Sequence, residues 1–327
     1  MYVSKKLTAE VPDTNPHYFG WEEFSETPSK DVLFYGYDSI RSTSDLNKYT
    51  RKVLFNVWMP TEFAQQQDHF GMSPLEYDNE ADEVYGICPF TVEWLNKIKK
   101  TEKYKYIYHP INLKYLPTNK QKKYDVCYFG GIHSPLHWDC LDVIETFNYR
   151  YMSMSHSINF MTQRNLYRAT DIDLTHLQKL DVLSECRISI CYNIVPVGES
   201  HVKNIKDIHG WEKNTAFSKL DSIGFLPQFK SRMHEAAISK TLNLVFKDPW
   251  RIAEDYYTSN EDFLYFESND ELGDIIQDVI DNYERYEKMI ESAYNKVSNY
   301  STEKMFDVIK KGKKCKSIVV DRVVQNA

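Results

Sequence analysis

Short apolar, β-branched and aromatic runs recur along the chain: DVLFYG (31–36), KVLFNV (52–57), EVYGIC (83–88), YKYIYH (104–109), DVCYFG (125–130), RISICY (187–192), TLNLVF (241–246) and DFLYF (262–266). They read as buried strands, and several of the intervals between them carry helical periodicity, which predicts an α/β protein with mainly parallel sheets. The clearest helical stretch is 269–297, where Leu272, Ile275, Ile276, Val279, Ile280, Tyr283, Tyr286, Ile290, Ala293 and Val297 trace one apolar face. Ser268 and Glu271 form a capping-box pattern at its start, and a break is expected near Asn282. Ser301 signals a closing helix over TEKMFDVIKK, and the tail KKGKKCKSIVVDRVVQNA shows no pattern that would pack it firmly.

Between YIYHPIN and YDVCYFGG lies LKYLPTNKQKK, polar and interrupted by a proline, which reads as a linker. The boundary is placed near residue 117, giving units 1–117 and 118–300 followed by a closing helix and basic tail over 301–327. A length of 327 residues also favours two cores over one. With 42% hydrophobic and 27% charged residues, and no apolar run near the roughly 18 needed to span a bilayer, the composition suggests a cytoplasmic protein. A net charge of −7 argues against a surface devoted to nucleic acid. Cys88, Cys127 and Cys191 fall in strand-like runs and no C-x-x-C occurs, so reduced, buried thiols are expected and no structural zinc.

The stretch QFKSRMHEAAISKTLNLVF (228–246) concentrates Lys230, Arg232, His234 and Glu235 before a strand. Arg232 and Glu235 share a helix face one turn apart, in a first turn whose free N–H groups favour an anion. Arg232, with Lys230, suits a diphosphate; Glu235 suits the vicinal hydroxyls of a ribose. A solvated helix start with Glu235 merely complementing the dipole is the plain alternative. The strand DVCYFG ends in Gly130-Gly131, followed by Ile132-His133-Ser134, a turn that lets backbone approach a phosphate closely. Neither a G-x-G-x-x-G after an early strand nor a G-x-x-x-x-G-K-[ST] occurs, which sets aside dehydrogenase and NTPase readings.

This order of glycine turn, R-x-x-E helix, strand and closing helices resembles the nucleotide-sugar glycosyltransferases of GT-B architecture, particularly the family-1-like domain of spore-maturation-type proteins. It is also similar to the phage enzymes that glucosylate modified DNA bases. RMHEAAISKTLNLVF, DFLYFESNDELGDIIQDVI and ESAYNKVSNYSTEKMF carry the likeness in the second half, RKVLFNVWMP and ADEVYGICPFTVEWLNKI in the first. The resemblance implies two Rossmann-like domains around a cleft, and transfer of a sugar from a nucleoside-diphosphate donor held by the second domain. By position, Arg232 would contact the diphosphate and Glu235 the ribose, with Gly130, Gly131, His133 and Ser134 under the phosphates. Lys230 would help Arg232 stabilise the leaving nucleotide without a metal.

There are departures from the family pattern. Where the Glu-x7-Glu signature has its first glutamate, this chain has Pro227, so the stereochemical outcome stays open. The phage enzymes place arginines after the glycine pair; here stand His133, Ser134 and His137, which suggests a weaker or a pH-sensitive grip. The short N-terminal region looks as if it omits the usual first strand. D-I-D at 171–173 is an Asp-x-Asp pair of the kind that binds Mn²⁺ in the other major glycosyltransferase fold, but Asp173 reads better as the N-cap of the helix that follows. For an inverting reaction a general base would come from the first domain, with Asp38 after its strand favoured over Asp13 and His17. Tyr18, Phe19 and Trp21 are candidates for stacking on an acceptor, and KKGKKCK (310–316) for contact with an anionic membrane or nucleic acid. The acceptor expected is a glycan, a lipid-linked sugar or a small molecule. Addition of sugar to a hydroxymethylated DNA base, and a non-enzymatic binding module of the same shape, are the competing readings.

Overall fold

A computed structural model of the chain describes residues 1–4, 21–35, 40, 43–56, 79–118, 121–157, 159–217 and 220–325. Two parallel sheets organise them. The first runs β1 (Tyr2–Val3), β2 (Asp31–Tyr35), β3 (Arg51–Asn56), β4 (Glu83–Gly86) and β5 (Tyr104–Tyr106), each strand beside its sequence neighbour. The second takes β6 (Tyr124–Phe129), β7 (Tyr149–Ser153), β8 (Asp171–Ile172), β9 (Cys186–Cys191), β12 (Leu242–Phe246) and β13 (Leu264–Phe266), in the order β13-β12-β9-β6-β7-β8. A separate antiparallel pair joins β10 (Ile194–Pro196) to β11 (Phe225–Pro227). The helices are α1 (Pro89–Lys99), α2 (Pro135–Ile144), α3 (Phe160–Arg164), α4 (His176–Glu185), α5 (Glu199–Lys206), α6 (Leu220–Ile223), α7 (Arg232–Ile238), α8 (Asn269–Asp281), α9 (Glu287–Val297), α10 (Thr302–Lys310) and α11 (Ile318–Gln325).

The continuous apolar runs are explained by burial on both faces. Val32, Leu33, Val53, Leu54, Val126, Ile188 and Leu244 are all fully enclosed, as parallel strands covered on both sides must be. The first strand that the sequence seemed to lack is β1, two residues paired in parallel with β2, too short to leave a periodic signature. In the second sheet the order reverses between β6 and β9, so a crevice opens beyond their carboxyl ends.

The chain returns at its end to the first sheet. Ile111 bridges Ser301, and the Ser301 hydroxyl caps α10 by accepting from the Lys304 N–H. The Phe306 ring then stacks on Phe24 at 4.9 Å and meets Trp21 edge-on at 5.4 Å. Arg51 on β3 donates from Nη2 to the Ile309 carbonyl at 2.7 Å, and Lys105 on β5 to that of Gly312 at 2.8 Å. The segment between β10 and β11 also reaches the first unit: Trp94 of α1 donates from Nε1 to the Gly210 carbonyl at 2.8 Å and packs on Phe217.

Several local expectations hold and others do not. The long helical stretch breaks at Asn282, where α8 ends and a 3-10 turn over Tyr283–Tyr286 leads into α9. The tail is not loose. Asp255 accepts from the Ser317 hydroxyl and the Val319 N–H, Val319 is fully buried, and Arg322 pairs with Glu254. Asp173 is not the N-cap of α4; Thr175 is, in a reciprocal capping box with Gln178. Asp173 instead takes a left-handed conformation (φ 56°) and accepts from the Ser155 N–H and hydroxyl. Trp21 is 1% exposed among Phe55 and Phe306, a core residue with no face for an acceptor. No helix among the described residues is long and apolar enough to cross a membrane. All six cysteines are free thiols, five of them buried.

The return of α10 onto the first sheet predicts that Phe306→Ala destabilises the chain by about 3–5 kcal/mol, since it empties a site walled by Trp21 and Phe24. Urea unfolding followed by tryptophan fluorescence reads this directly; a loss under 1 kcal/mol would mean that the closing helix is not integral to the first core.

Candidate functional site

A cavity of about 420 Å³ opens beyond the carboxyl ends of β6 and β7. Phe129, Gly130, Gly131 and His133 form one wall, Met152–Met154 with Ser157, Thr162 and Leu174 a second, and Gln228–Arg232 the third. Lys179 of α4 also reaches the lining. The glycine turn and the α7 segment therefore meet across this space, and the contact between them is specific. Gly130 has φ +123°, and a Cβ there would overlap the Arg232 guanidinium. A Cβ on Gly131 would press on the His133 ring and the Thr162 hydroxyl. The absence of side chains at the turn is what admits the arginine, which also lies 5.0 Å from the Phe129 ring and 5.5 Å from that of Tyr128.

Thr162 holds the turn by accepting at Oγ1 from the Ile132 N–H at 2.9 Å, and Asn159, the α3 N-cap, reaches His133 Nδ1 at 3.1 Å. On the opposite wall Asn193 accepts at Oδ1 from the Lys230 N–H at 2.8 Å, fixing the backbone where β11 gives way to α7. The buried run Met233–Ile238, with Ala236 and Ala237 in its centre, seats α7 between the sheet and the helices α4 and α9. Small residues allow that close approach. This answers why a polar helix start leads directly into a buried strand: the helix is an interior wall whose first residue alone turns to the cavity.

The electrostatics are one-sided. Among the described residues no aspartate or glutamate lines the cavity, whereas Lys179, Lys230 and Arg232 do. Burial, reinforced by the Arg232 charge, lowers the Lys230 ammonium to about 7. Glu235 is completely buried and accepts at Oε1 from Lys179 Nζ at 2.8 Å. Burial alone would raise its carboxyl, but Lys179 and then His176 outweigh this and hold it below the ordinary value. Burial likewise pulls Lys179 down while Glu235 opposes, and a contact with an ionised carboxylate keeps the proton on the lysine. With Lys230 protonated, three cations and one carboxylate leave a net charge of +2 around the cavity.

No family profile and no curated protein sequence matches the chain. Solved structures do. HepE from Anabaena, in complex with UDP-glucose, superposes with a TM-score of 0.58 at 10% identity, covering 86% of this chain and 78% of HepE. TarM from S. aureus, in complex with fondaparinux, alpha-GlcNAc-glycerol and UDP, gives a TM-score of 0.55 at 12% identity over 86% of this chain. Sucrose-phosphate synthase from Thermosynechococcus elongatus gives 0.54 at 10% identity, covering 86% and 72% of the two chains. The chain has the GT-B fold. The likeness at such identities is one of architecture, and the chain spans only 55% of the length of TarM.

Within the GT-B fold, the predicted residues divide into those the structure gathers and those it does not. Gly130, Gly131, His133, Lys230 and Arg232 all line one cavity. Ser134 does not: it begins α2 facing a different cleft, and its hydroxyl bonds His137 Nδ1 at 2.8 Å. Glu235 is not on the wall either; it is bonded to Lys179, which is. Both histidines are held below their ordinary value. Partial burial, with Lys230 and Arg232 adding to it, lowers His133, and burial then Arg232 lower the enclosed His137 to about 3. The group poised near neutrality is Lys230. Pro227 closes β11 and is buried. Asp171 is held by Arg150, and Asp173 by Ser155. Asp38, Asp13, His17, Tyr18 and Phe19 lie outside the described residues. Sequence reasoning missed Lys179 and Thr162. Lys179 falls in an ordinary amphipathic helix, and nothing local marks it as facing residues of α7.

Replacing Gly130 by alanine should be costly twice over: about 1–2 kcal/mol for the left-handed backbone, and displacement of Arg232 besides. A drop in the thermal midpoint is expected; an unchanged midpoint would show that the position of Arg232 does not depend on the bare turn.

Proposed function

We propose that the chain is a nucleotide-sugar-dependent glycosyltransferase whose donor diphosphate binds between the Gly130-Gly131 turn and Arg232. The observation that carries this reading is the pairing of a side-chain-free turn with a cavity whose described residues carry a net charge of +2 and place no carboxylate on its walls. A nucleoside-diphosphate sugar carries two negative charges on its diphosphate, and a desolvated cationic pocket of matching charge is the arrangement that binds it. Supporting this, HepE and TarM are complexed with UDP-glucose and UDP respectively, which makes uridine nucleotides the first probes.

In the proposed mechanism the anomeric C–O bond breaks as negative charge gathers on the leaving diphosphate. Arg232, planar and always charged, and Lys230 stabilise that charge more strongly than they do the bound donor. The helix dipole adds little, since α7 has only seven residues. The acceptor is a hydroxyl of a glycan, lipid-linked sugar or small molecule presented by the first unit. Asp38, three residues beyond the end of β2, is the proposed general base. Because side chains supply the charge neutralisation, a chelator is expected to leave turnover unchanged; restoration of chelated enzyme by Mn²⁺ or Mg²⁺ would refute that.

A thermal-melting panel with UDP, GDP, ADP and TDP tests the donor site. Ligand at about 100 times its dissociation constant adds about 2.7 kcal/mol of stability, an effect that raises the midpoint visibly. One nucleotide should do so in the wild type and fail to in Arg232→Ala; if none does, the donor-site reading is wrong.

The state of Lys230 sets the pH profile. Its pKa near 7 means that the cation is present below neutrality and lost above it, so affinity for UDP-glucose should fall as pH rises through 7. The donor itself has no phosphate group titrating there, so the trend belongs to the protein. Calorimetry on Lys230→Arg should show a flat profile over pH 6–8; a persisting slope would assign the titration elsewhere.

A further inference from the structure

Resting on the donor-site reading above, we propose that Lys179 is a donor-binding residue directed at the diphosphate, and that Glu235 acts through it as a positioning counter-ion instead of hydrogen-bonding the ribose. Lys179 belongs to α4 and Glu235 to α7, so the pair ties together two helices that meet only in the folded chain. The Lys179 side chain is 7% exposed and Glu235 0% exposed, and the lysine is the member that reaches the cavity lining.

The orientation of the ammonium is constrained on two sides. One N–H is donated to Glu235 Oε1 at 2.8 Å, and Nζ lies 4.2 Å from the centre of the Phe129 ring. Arg232 lies 5.0 Å from the same ring, so both cations are gathered on the residue that immediately precedes Gly130. An ammonium has three donors. One is committed to the carboxylate and one side is directed at an aromatic face, which leaves donor capacity beside the turn where a phosphate would come. A buried lysine without a counter-ion would surrender its proton; Glu235 prevents this, and its own carboxylate stays ionised for the same reason.

Among the described residues Glu235 Oε2 has no hydrogen-bond partner. Glu235 is absent from the cavity wall while its partner Lys179 is on it, so a direct bond to a ribose and a role through the lysine are separable by experiment.

Isothermal titration calorimetry of UDP, UMP, 2′-deoxy-UDP and 3′-deoxy-UDP, with wild type, Lys179→Met, Lys179→Arg and the double variant Lys179→Met/Glu235→Met, makes the distinction. Lys179→Met should weaken UDP by about tenfold or more and reduce the preference for UDP over UMP, because a charge-assisted hydrogen bond to the second phosphate is lost. Lys179→Arg should restore much of that preference. The double variant removes a buried pair together and so keeps the interior neutral. It should match Lys179→Met, with the wild-type penalty for each missing ribose hydroxyl intact. An unchanged UDP-to-UMP ratio in Lys179→Met would overturn the role of Lys179. A deoxyribose penalty that vanishes only when Glu235 is replaced would overturn the role of Glu235. If Lys179→Met alone does not fold, the double variant decides the same two questions. Failure of the wild type to bind UDP at all would instead contradict the donor-site reading, and the same titration shows it.

Discussion

The structure turns on one steric fact: at Gly130 the backbone has no Cβ, and the guanidinium of Arg232 occupies the space that a Cβ would claim. From this follow the position of the cavity, its charge and its chemistry. β6 lies at the switch in strand order, which directs its carboxyl end into a crevice. The turn after it must take φ +123°, a region closed to L side chains, and so presents bare backbone. Arg232 reaches that backbone because Met233–Ile238 are buried behind it, leaving α7 no freedom to move its first residue away.

A charged group in such a place demands compensation. Arg232 rests on the faces of Tyr128 and Phe129, and among the described residues no carboxylate shares the cavity with it. Glu235, behind the wall, is committed to Lys179. The interior is thus left with excess positive charge, an arrangement unfavourable to the empty protein. It is stabilising only when an anion arrives. Lys230 records this strain in its lowered pKa, since burial and the neighbouring guanidinium both oppose its proton.

Much of the architecture was legible in the residues because parallel, doubly covered strands leave continuous apolar runs. DVLFYG, KVLFNV, DVCYFG, RISICY and TLNLVF each became a strand within a residue or two of the expected limits. What escaped were elements without that signature. β7, YRYMS, carries Arg150 to pair with Asp171, and β1 and β8 are only two residues long. The tail appeared unpatterned because its anchor is Asp255, far away in sequence. At the site, glycine and arginine were legible since each is nearly irreplaceable in its role. Lys179 was not, because only the packing of α4 on α7 gives it a purpose. The pairing of Glu235 was hidden for the same reason: its spacing from Arg232 is visible in sequence, but its bond to a lysine of α4 is not.

The most direct test is a crystal structure of the chain with UDP bound. The account predicts diphosphate oxygens within hydrogen-bond distance of the Arg232 guanidinium, resting against the Gly130-Gly131 backbone, with the nucleoside extending toward Leu174. A nucleotide found elsewhere, or one whose phosphates point away from Arg232 into solvent, would contradict it.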